Sequence, residues 1–582
     1  MSYFFGIMRH LLAAANKIHW VWCGAILLCM LLLAVLHHRW KDSPKRLILW
    51  RLLCLLPAAA CLLHYRLYAF AVSDVYLWFL PLYLIGAFAL IPMPLARRKA
   101  GYSISAVLTG LLSVCCAAVF CTVSPHRYSH FTESYTEAFH ALVQEMDRAY
   151  VLREWKQADF AALEAKYLPM VQEAERTQNP AVYLDAVTRF CSEMHDAHIS
   201  VGGGYDRTAY QSERDLLTHE YGLAAVQLDD GAVIAVCTVP EVQALGITDG
   251  TVITKWDGKP VLQAAQENVW DRGFPVAANA ERLAAIYLSG TGGETVEVSF
   301  LDGTGAEKTV TLTDLGDMHT RNEALYALRQ RPQTDTDAAR EAYRAQNFST
   351  KMLTDKCGYI KLQSMTYDGG LLSLAHIKSY LTGNYEPVTA MFREKLNGLK
   401  AQGMEYLVID LRNNTGGFME FGAALCSLLT DQNQYAEGAG VRRGGKYQRT
   451  ADLYIHGTGE FADLQCVALT NYKCASAGDT AALMLSRLPN VTLAGITDPC
   501  GIAQGTGGLC VLPELITVEY PYALCLDETG VPLIDPGTDR ISRDPVEVRI
   551  PLDYGAAMTI FRDRQDHELQ WAVGFLERGE SP

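Results

Sequence analysis

The chain has 582 residues, too many for one hydrophobic core, so three or more units are expected. Its net charge of −14 excludes a phosphate backbone as the natural partner, and no nucleic acid is expected. Half of the residues are hydrophobic, a high share, and the excess lies at the front.

Four apolar runs open the chain, at Trp20–Leu36, Leu52–Val72, Val75–Ala96 and Ser103–Val123. Each approaches the roughly 20 residues that a bilayer-spanning helix needs, although His64 and Arg66 interrupt the second. They predict a multi-pass membrane anchor over residues 1–125, with the lipid bilayer as a partner. Arg39, Lys41, Lys45, Arg46, Arg51, Arg97, Arg98 and Lys99 fall in the loops on one side; Arg9, Lys17, Arg66 and Arg127 fall on the other. The richer side is expected to face the cytoplasm, which places the remainder of the chain outside. A cleaved signal peptide is not expected, because the first run starts late and others follow.

Residues 126–213 read as a small helical module. Apolar residues recur at helical spacing from Phe139 to Val151, from Phe160 to Val171 and from Val182 to Met194. The module ends in Glu193-Met194-His195-Asp196-Ala197-His198-Ile199. Residues 214–320 read as a unit of short strands such as Ala232–Val236 and Thr295–Phe300. A charged linker, 321–348, leads into a region from 349 to 582 that opens on the strand Gly358–Leu362.

Two stretches in that last region carry the chemistry. Glu405–Asp410 is strand-like and runs into Leu411-Arg412-Asn413-Asn414-Thr415-Gly416-Gly417, after which a helix is expected to about Leu429. Leu464–Leu469 is again strand-like and breaks at Asn471, and a small-residue helix follows from Ala477 to about Leu488. Two strand-turn-helix units in series predict a parallel sheet with both turns at its C-terminal edge. Ser476 then stands on a tight corner, at the positive end of a helix, among unpaired N–H groups. A lone serine there can equally be an N-cap.

Asp-Leu-Arg-Asn-Asn-Thr-Gly-Gly and Cys-Ala-Ser-Ala-Gly-Asp together resemble the C-terminal-processing (tail-specific) serine peptidases, a family that includes the tricorn core protease. The resemblance implies an α/β catalytic core of crotonase-like, ClpP-like type, a parallel sheet with flanking helices. It also implies hydrolysis of peptide bonds in peptides or unfolded protein segments through an acyl-enzyme. Ser476 matches the nucleophile, and the amides of Gly417 and Ala477 match the oxyanion hole. The lysine that one branch of the family uses as base has no counterpart, since position 501 is glycine and no lysine follows Lys473. The other branch takes a histidine from the N-terminal part, and Asp196-Ala197-His198-Ile199 fits that motif with Ala for Gly and Ile for Thr. Histidine suits the task, because its ordinary pKa near 6.5 lets it take and return a proton. Asp535 falls near the place of the family's later acidic residue. Lys473, three residues before Ser476, is a rival base, and His195 with His198 could hold a metal, but no third ligand is evident and no metal or cofactor is expected.

Ala244-Leu245-Gly246-Ile247-Thr248-Asp249-Gly250-Thr251-Val252-Ile253 resembles the signature of PDZ domains, which this family commonly carries ahead of its core. Such a domain adds a peptide strand to its sheet edge and holds a terminal carboxylate in a loop of N–H groups. Tyr221, Gly222 and Leu223 are the candidate loop; the alternative is a β unit with no ligand. Relatives often assemble, so a homo-oligomer is possible on resemblance. Cys500 and Cys510 bracket a glycine-rich loop that a disulfide could close. The competing functional reading is a peptide- or ligand-binding relative that has lost catalysis, with the departures from the family motifs as its traces.

Overall fold

The computed structural model describes part of residues 28–53, and residues 127–579 apart from 132, 204–218, 270–274, 317–318, 332–335, 368–383, 444–445 and 534–545. Most of the four apolar runs, and Asp535, lie outside the described residues. Among the described residues no helix is long and apolar enough to cross a membrane. The expectation of a multi-pass membrane protein is therefore corrected. The helix described at Pro44–Leu53 has only 10 residues and contains Lys45, Arg46 and Arg51.

Three helices follow the short strand β1 (Arg127–Ser129): α1 (Tyr135–Ala149), α2 (Phe160–Thr177) and α3 (Pro180–Ser192). The first is set by a capping box in which Ser134 and Glu137 satisfy each other's backbone amides. Asp159 and Asn179 cap the other two. Strand β2 (Ser200–Gly203) closes the module.

Next comes an all-antiparallel sheet. Its path runs β3 (Ala224–Gln227), β4 (Val233–Val236), β5 (Val252–Trp256), β7 (Thr295–Leu301) and β8 (Glu307–Thr313), with β6 (Lys259–Pro260) paired to β5. Helices α4 (Val261–Val269) and α5 (Ala277–Leu288) cover it. The segment expected as a linker is partly helical, at α6 (His319–Leu328) and α7 (Asp337–Arg344).

The remaining strands build two sheets. One has the order β18-β15-β14-β11-β10-β9, using β9 (Thr350–Met352), β10 (Cys357–Lys361), β11 (Tyr406–Asp410), β14 (Gln465–Leu469), β15 (Val491–Gly495) and β18 (Val548–Arg549). All its pairs are parallel except β9 with β10. The expected parallel sheet is present, with Tyr406 opposite Gln465 and Asp410 opposite Leu469. That register brings the two following turns to the same edge. The other sheet joins β12 (Gln434–Arg443), β13 (Lys446–Ile455), β16 (Gly505–Val511) and β17 (Ile516–Leu526). It also takes β1 and β2 from the front module, so β2 lies antiparallel to β17, with Val201 opposite Val518. The helical module shares one core with the sheet: Phe139, Met146 and Phe190 pack with Ile516, Val518 and Tyr520. Cys510 belongs to that core, and it and Cys500 are free thiols, so the suggested disulfide is absent.

Beneath the parallel sheet lies a buried ionic network. Asp410, at the end of β11, accepts from the Lys361 ammonium and the Tyr359 hydroxyl, each at 2.8 Å. The Arg412 guanidinium lies against it at 2.9–3.0 Å. Arg412 also pairs with Asp566 at 2.7 Å and Glu568 at 3.1 Å, at the start of the last helix, His567–Arg578. Arg412 is 1% exposed, so its charge is held by these carboxylates alone. Two nearby cations, chiefly Arg412, hold the Asp410 carboxyl far below the usual range against the opposing cost of burial. Asp410→Ala would leave Lys361 and Arg412 buried and short of a partner, a loss of about 3–5 kcal/mol. Scanning calorimetry should show unfolding roughly 10 °C earlier, and an unchanged transition would remove the network from its structural role.

Candidate active site

Two turns at the edge of the parallel sheet make the site, and asparagines bind them together. Asn471 Oδ1 accepts from the amides of Asn413 at 3.0 Å and Lys473 at 3.1 Å. Asn414 Oδ1 accepts from Gly416 N at 2.8 Å, its Nδ2 donates to Leu362 O, and its own carbonyl accepts from Ala475 N at 2.9 Å. The glycines are obligatory here. A Cβ on Gly416, whose φ is 83°, would sit 2.6 Å from Ser476 Cβ and 2.8 Å from Ala477 N. On Gly417 it would meet Met365 O at 2.3 Å.

Ser476 has φ 58° and ψ −126°, a strained conformation for a residue with a side chain. It stands directly before helix α8 (Ala477–Ser486), and its hydroxyl makes no capping hydrogen bond there. The N-cap alternative is thereby set aside. The corner is held instead by backbone bonds, from Ser476 N to Ile502 O at 2.8 Å and from Thr480 N to Ser476 O at 3.2 Å. Among the described residues neither Gly417 N nor Ala477 N donates to another group, while their neighbours Gly416 and Phe418 are engaged with Asn414 and Met365. Two donors are thus left beside the hydroxyl, at the positive end of a helix.

Asp479 is a residue whose role the sequence did not disclose, although it stands in the serine motif. It is buried in the first turn of α8, and its two oxygens accept from Gly501 N and Ile502 N at 3.0 Å each. It therefore fixes the loop whose carbonyl holds Ser476 N. Its place at the third position of a helix opening on small residues was the available signal.

His198 lies on the turn between α3 and β2. Asp196, 5% exposed, fastens that turn by accepting from His198 N and from the Tyr150 hydroxyl, each at 2.9 Å. A cavity of about 410 Å³ is lined by Asp196, Ala197 and Ile199, which flank His198, and by Tyr472, Lys473 and Cys500, which lie near the serine corner; His198 and Ser476 themselves are not among its lining residues. His198 Nδ1 is buried without a hydrogen-bond partner among the described residues. Burial pushes its pKa below the ordinary imidazole value, against an opposing pull from Asp196, which leaves the ring neutral near neutrality. Lys473 is exposed, with its ammonium 5.4 Å from the Tyr472 ring centre.

The remaining site residues lie elsewhere. Tyr221 and Leu223 are buried, the Tyr221 hydroxyl donates to Gly293 O at 2.8 Å, and Gly222 N donates to Glu220 at 2.8 Å. Cys500 neighbours Cys474 rather than Cys510, through a 2.8 Å bond from its amide to the Cys474 carbonyl. Among the described residues no group of histidine, cysteine and acidic side chains could hold a metal ion.

Residues 356–530 match the family model described as peptidase family S41. Of solved structures, the chain is similar to mature CPAF, at 12% identity over 77% of this chain and 98% of that one, with a TM-score of 0.50. A mutant of CPAF gives the same identity, 77% and 99% coverage and a TM-score of 0.50. A photosystem II D1 C-terminal processing protease follows at 18% identity, 74% and 97% coverage and a TM-score of 0.32. No curated protein matches the chain in sequence. The family match points to a serine peptidase. In particular, the match of residues 356–530 to peptidase family S41 agrees with the resemblance to the C-terminal-processing peptidases.

Asp479→Asn should separate positioning from fold. One oxygen is lost and an amide donor faces an N–H, so the 501–502 loop shifts and Ser476 with it. Peptidase kcat should fall about 100-fold while the circular dichroism spectrum is kept, and an unaltered kcat would show that the loop does not position the serine.

Proposed function

We propose that the chain is a serine endopeptidase that cleaves peptides or unfolded protein segments through an acyl-enzyme on Ser476. The Ser476 hydroxyl attacks the scissile carbonyl as His198 takes its proton, and the carbonyl oxygen becomes an anion received by the amides of Gly417 and Ala477. The imidazolium then gives its proton to the leaving amine, and water reverses the sequence to free the acid. Asp535 is the proposed acidic contributor that orients the imidazole.

The observation that carries this reading is the corner itself: a serine held at positive φ without a capping duty, beside two amides left undonated. The cavity lined by the neighbours of His198 and by residues near that corner supports the assignment of the base. The antiparallel β3–β8 unit is read as PDZ-like, supported by its glycine-rich signature and its short strands flanked by two helices.

A second reading, a peptide-holding relative without catalysis, is favoured by one fact: no hydrogen bond joins the His198 ring to the Ser476 hydroxyl among the described residues. A fluorophosphonate probe separates the two. Labelling of the chain, lost in Ser476→Ala and reduced at least tenfold in His198→Ala, is expected together with loss of peptide hydrolysis. No labelling at any pH would leave the binding reading.

The pH profile supplies a further check. Because His198 is held below the ordinary imidazole value, kcat/KM should rise along an acid limb centred below about pH 6.5. Asp196→Asn removes a charge that favours the imidazolium, so the limb should move lower still; movement upward would exclude His198 as the base.

A further inference from the structure

The β3–β8 unit has a groove of the kind that receives an extended peptide. Strand β3 is the edge of its sheet, and α5 runs beside it. Peptide recognition by strand addition would use that edge, the apolar side chains of β3 and α5 that face outward, and the amides of the loop before β3.

Side chains alternate along β3. Leu223 and Ala225 point into the unit's own core with Ile253, Trp256, Ala280 and Ala284. Ala224, Val226 and Leu228 point the other way, and all three are buried. They share a cluster with Leu283 and Ile286 of α5, Ala324 and Leu328 of α6, and Ile560 and Phe561 near the chain's end. Helix α6 thus lies against both β3 and α5. The apolar surface that a ligand would cover is already covered.

The loop before β3 is likewise engaged. Glu220, 4% exposed, turns its carboxylate back into the loop and accepts from Gly222 N at 2.8 Å. The same carboxylate accepts from Thr320 N at 3.0 Å and from the Thr320 hydroxyl, at the first turn of α6. A carboxylate therefore sits at the loop amide, and it belongs to the chain. Asp314 fastens the arrangement by accepting from Glu220 N at 3.0 Å and pairing with His219 at 2.7 Å. At the far end of β3, Arg282 donates to Gln227 O at 3.3 Å and pairs with Asp229.

We propose that this unit is self-liganded: α6 fills its groove and Glu220 fills its carboxylate loop, so the unit does not select substrates by a free C terminus. The peptidase then chooses its substrates at the cleft around Ser476 and tolerates internal segments. This inference rests on reading the unit as PDZ-like, and it adds an occupant that the resemblance does not supply.

The test uses the full chain carrying Ser476→Ala, so that bound peptide is not consumed, with one fluorescent twelve-residue peptide ending in an apolar residue. The peptide is supplied as the free acid and as the C-terminal amide. Equal affinity within about twofold is expected, with amide hydrogen exchange of residues 319–328 unchanged by saturating peptide. Preference for the free acid of tenfold or more, or loss of protection in 319–328 when peptide binds, would overturn the proposal. Glu220→Gln with Thr320→Val should release α6, raising exchange in 319–328 and creating a free-acid preference of at least fivefold. Release of α6 without such a preference would also overturn it. Loss of hydrolysis in Ser476→Ala tests the peptidase reading separately, since terminus preference in binding does not depend on turnover.

Discussion

Everything at the sheet edge depends on a charge that has nowhere else to go. The Arg412 guanidinium is buried directly after β11, and removing a charged group from water is tolerated only with well-placed partners. Its three partners come from two places: Asp410 on the same strand, and Asp566 and Glu568 at the head of the last helix. Glu568 in turn accepts from Ile496 N at 2.9 Å, just beyond β15. The network therefore sets the angle at which the chain leaves β11 and enters Asn413-Asn414-Thr415-Gly416-Gly417. Hydrophobic packing alone gives no such directional control, because it has no preferred geometry. Arg412 aims a turn, and that turn carries the glycine amide.

The second turn is aimed by different means. Ser476 is held in an unfavourable backbone conformation by hydrogen bonds on both sides, through Ala475 to Asn414 and through its own amide to Ile502. Such strain, of order 1–3 kcal/mol, persists only where the surroundings over-determine it. Asp479 supplies that surplus by gripping Gly501 and Ile502, which are themselves part of the loop that Ser476 leans on. The serine hydroxyl is spared a structural role because its neighbours carry the load of capping. Buried nearby on β12 is Glu437, whose Oε2 receives the Cys525 thiol at 3.8 Å while Oε1 has no partner among the described residues. Burial pushes its pKa up to about 8, so near neutrality it places no second negative charge beside the site.

Much of this was legible in the residues. The apolar strand followed by Asn, Gly or Ser, then by a helix, appears twice, and a 3.6-residue period against a run of β-branched and apolar residues separates helix from strand. The parallel sheet and the shared edge follow from that order. The helix after Gly417 begins at Glu420, two residues later than the pattern implied, since Gly416 and Gly417 both take positive φ. The front of the chain misled, because hydropathy alone was read as membrane. What could not be read was pairing at long range: β2 joining β17, or Asp229 at the end of β3 meeting Leu552 at 2.7 Å. Glu220 shows the same limit. Its neighbours suggested a loop open to a ligand, but its partner is Thr320, one hundred residues away, and no local pattern carries that contact.

The histidine-bearing turn shows why the helical module is part of the enzyme and not an appendage. Its α1–α3 core is continuous with β16 and β17, so the turn from Asp196 to Ser200 is held by packing on one side and by strand pairing on the other. Asp196 then removes the freedom that remains, by bonding to His198 N and Tyr150. The turn is thus placed relative to the serine corner through the stiffness of a sheet rather than through a direct bond. A cavity lies between that turn and Tyr472, Lys473 and Cys500 near the corner. Its walls come from the helical module and from the segments around the corner together. The outward apolar face of β3, by contrast, is already packed against α6.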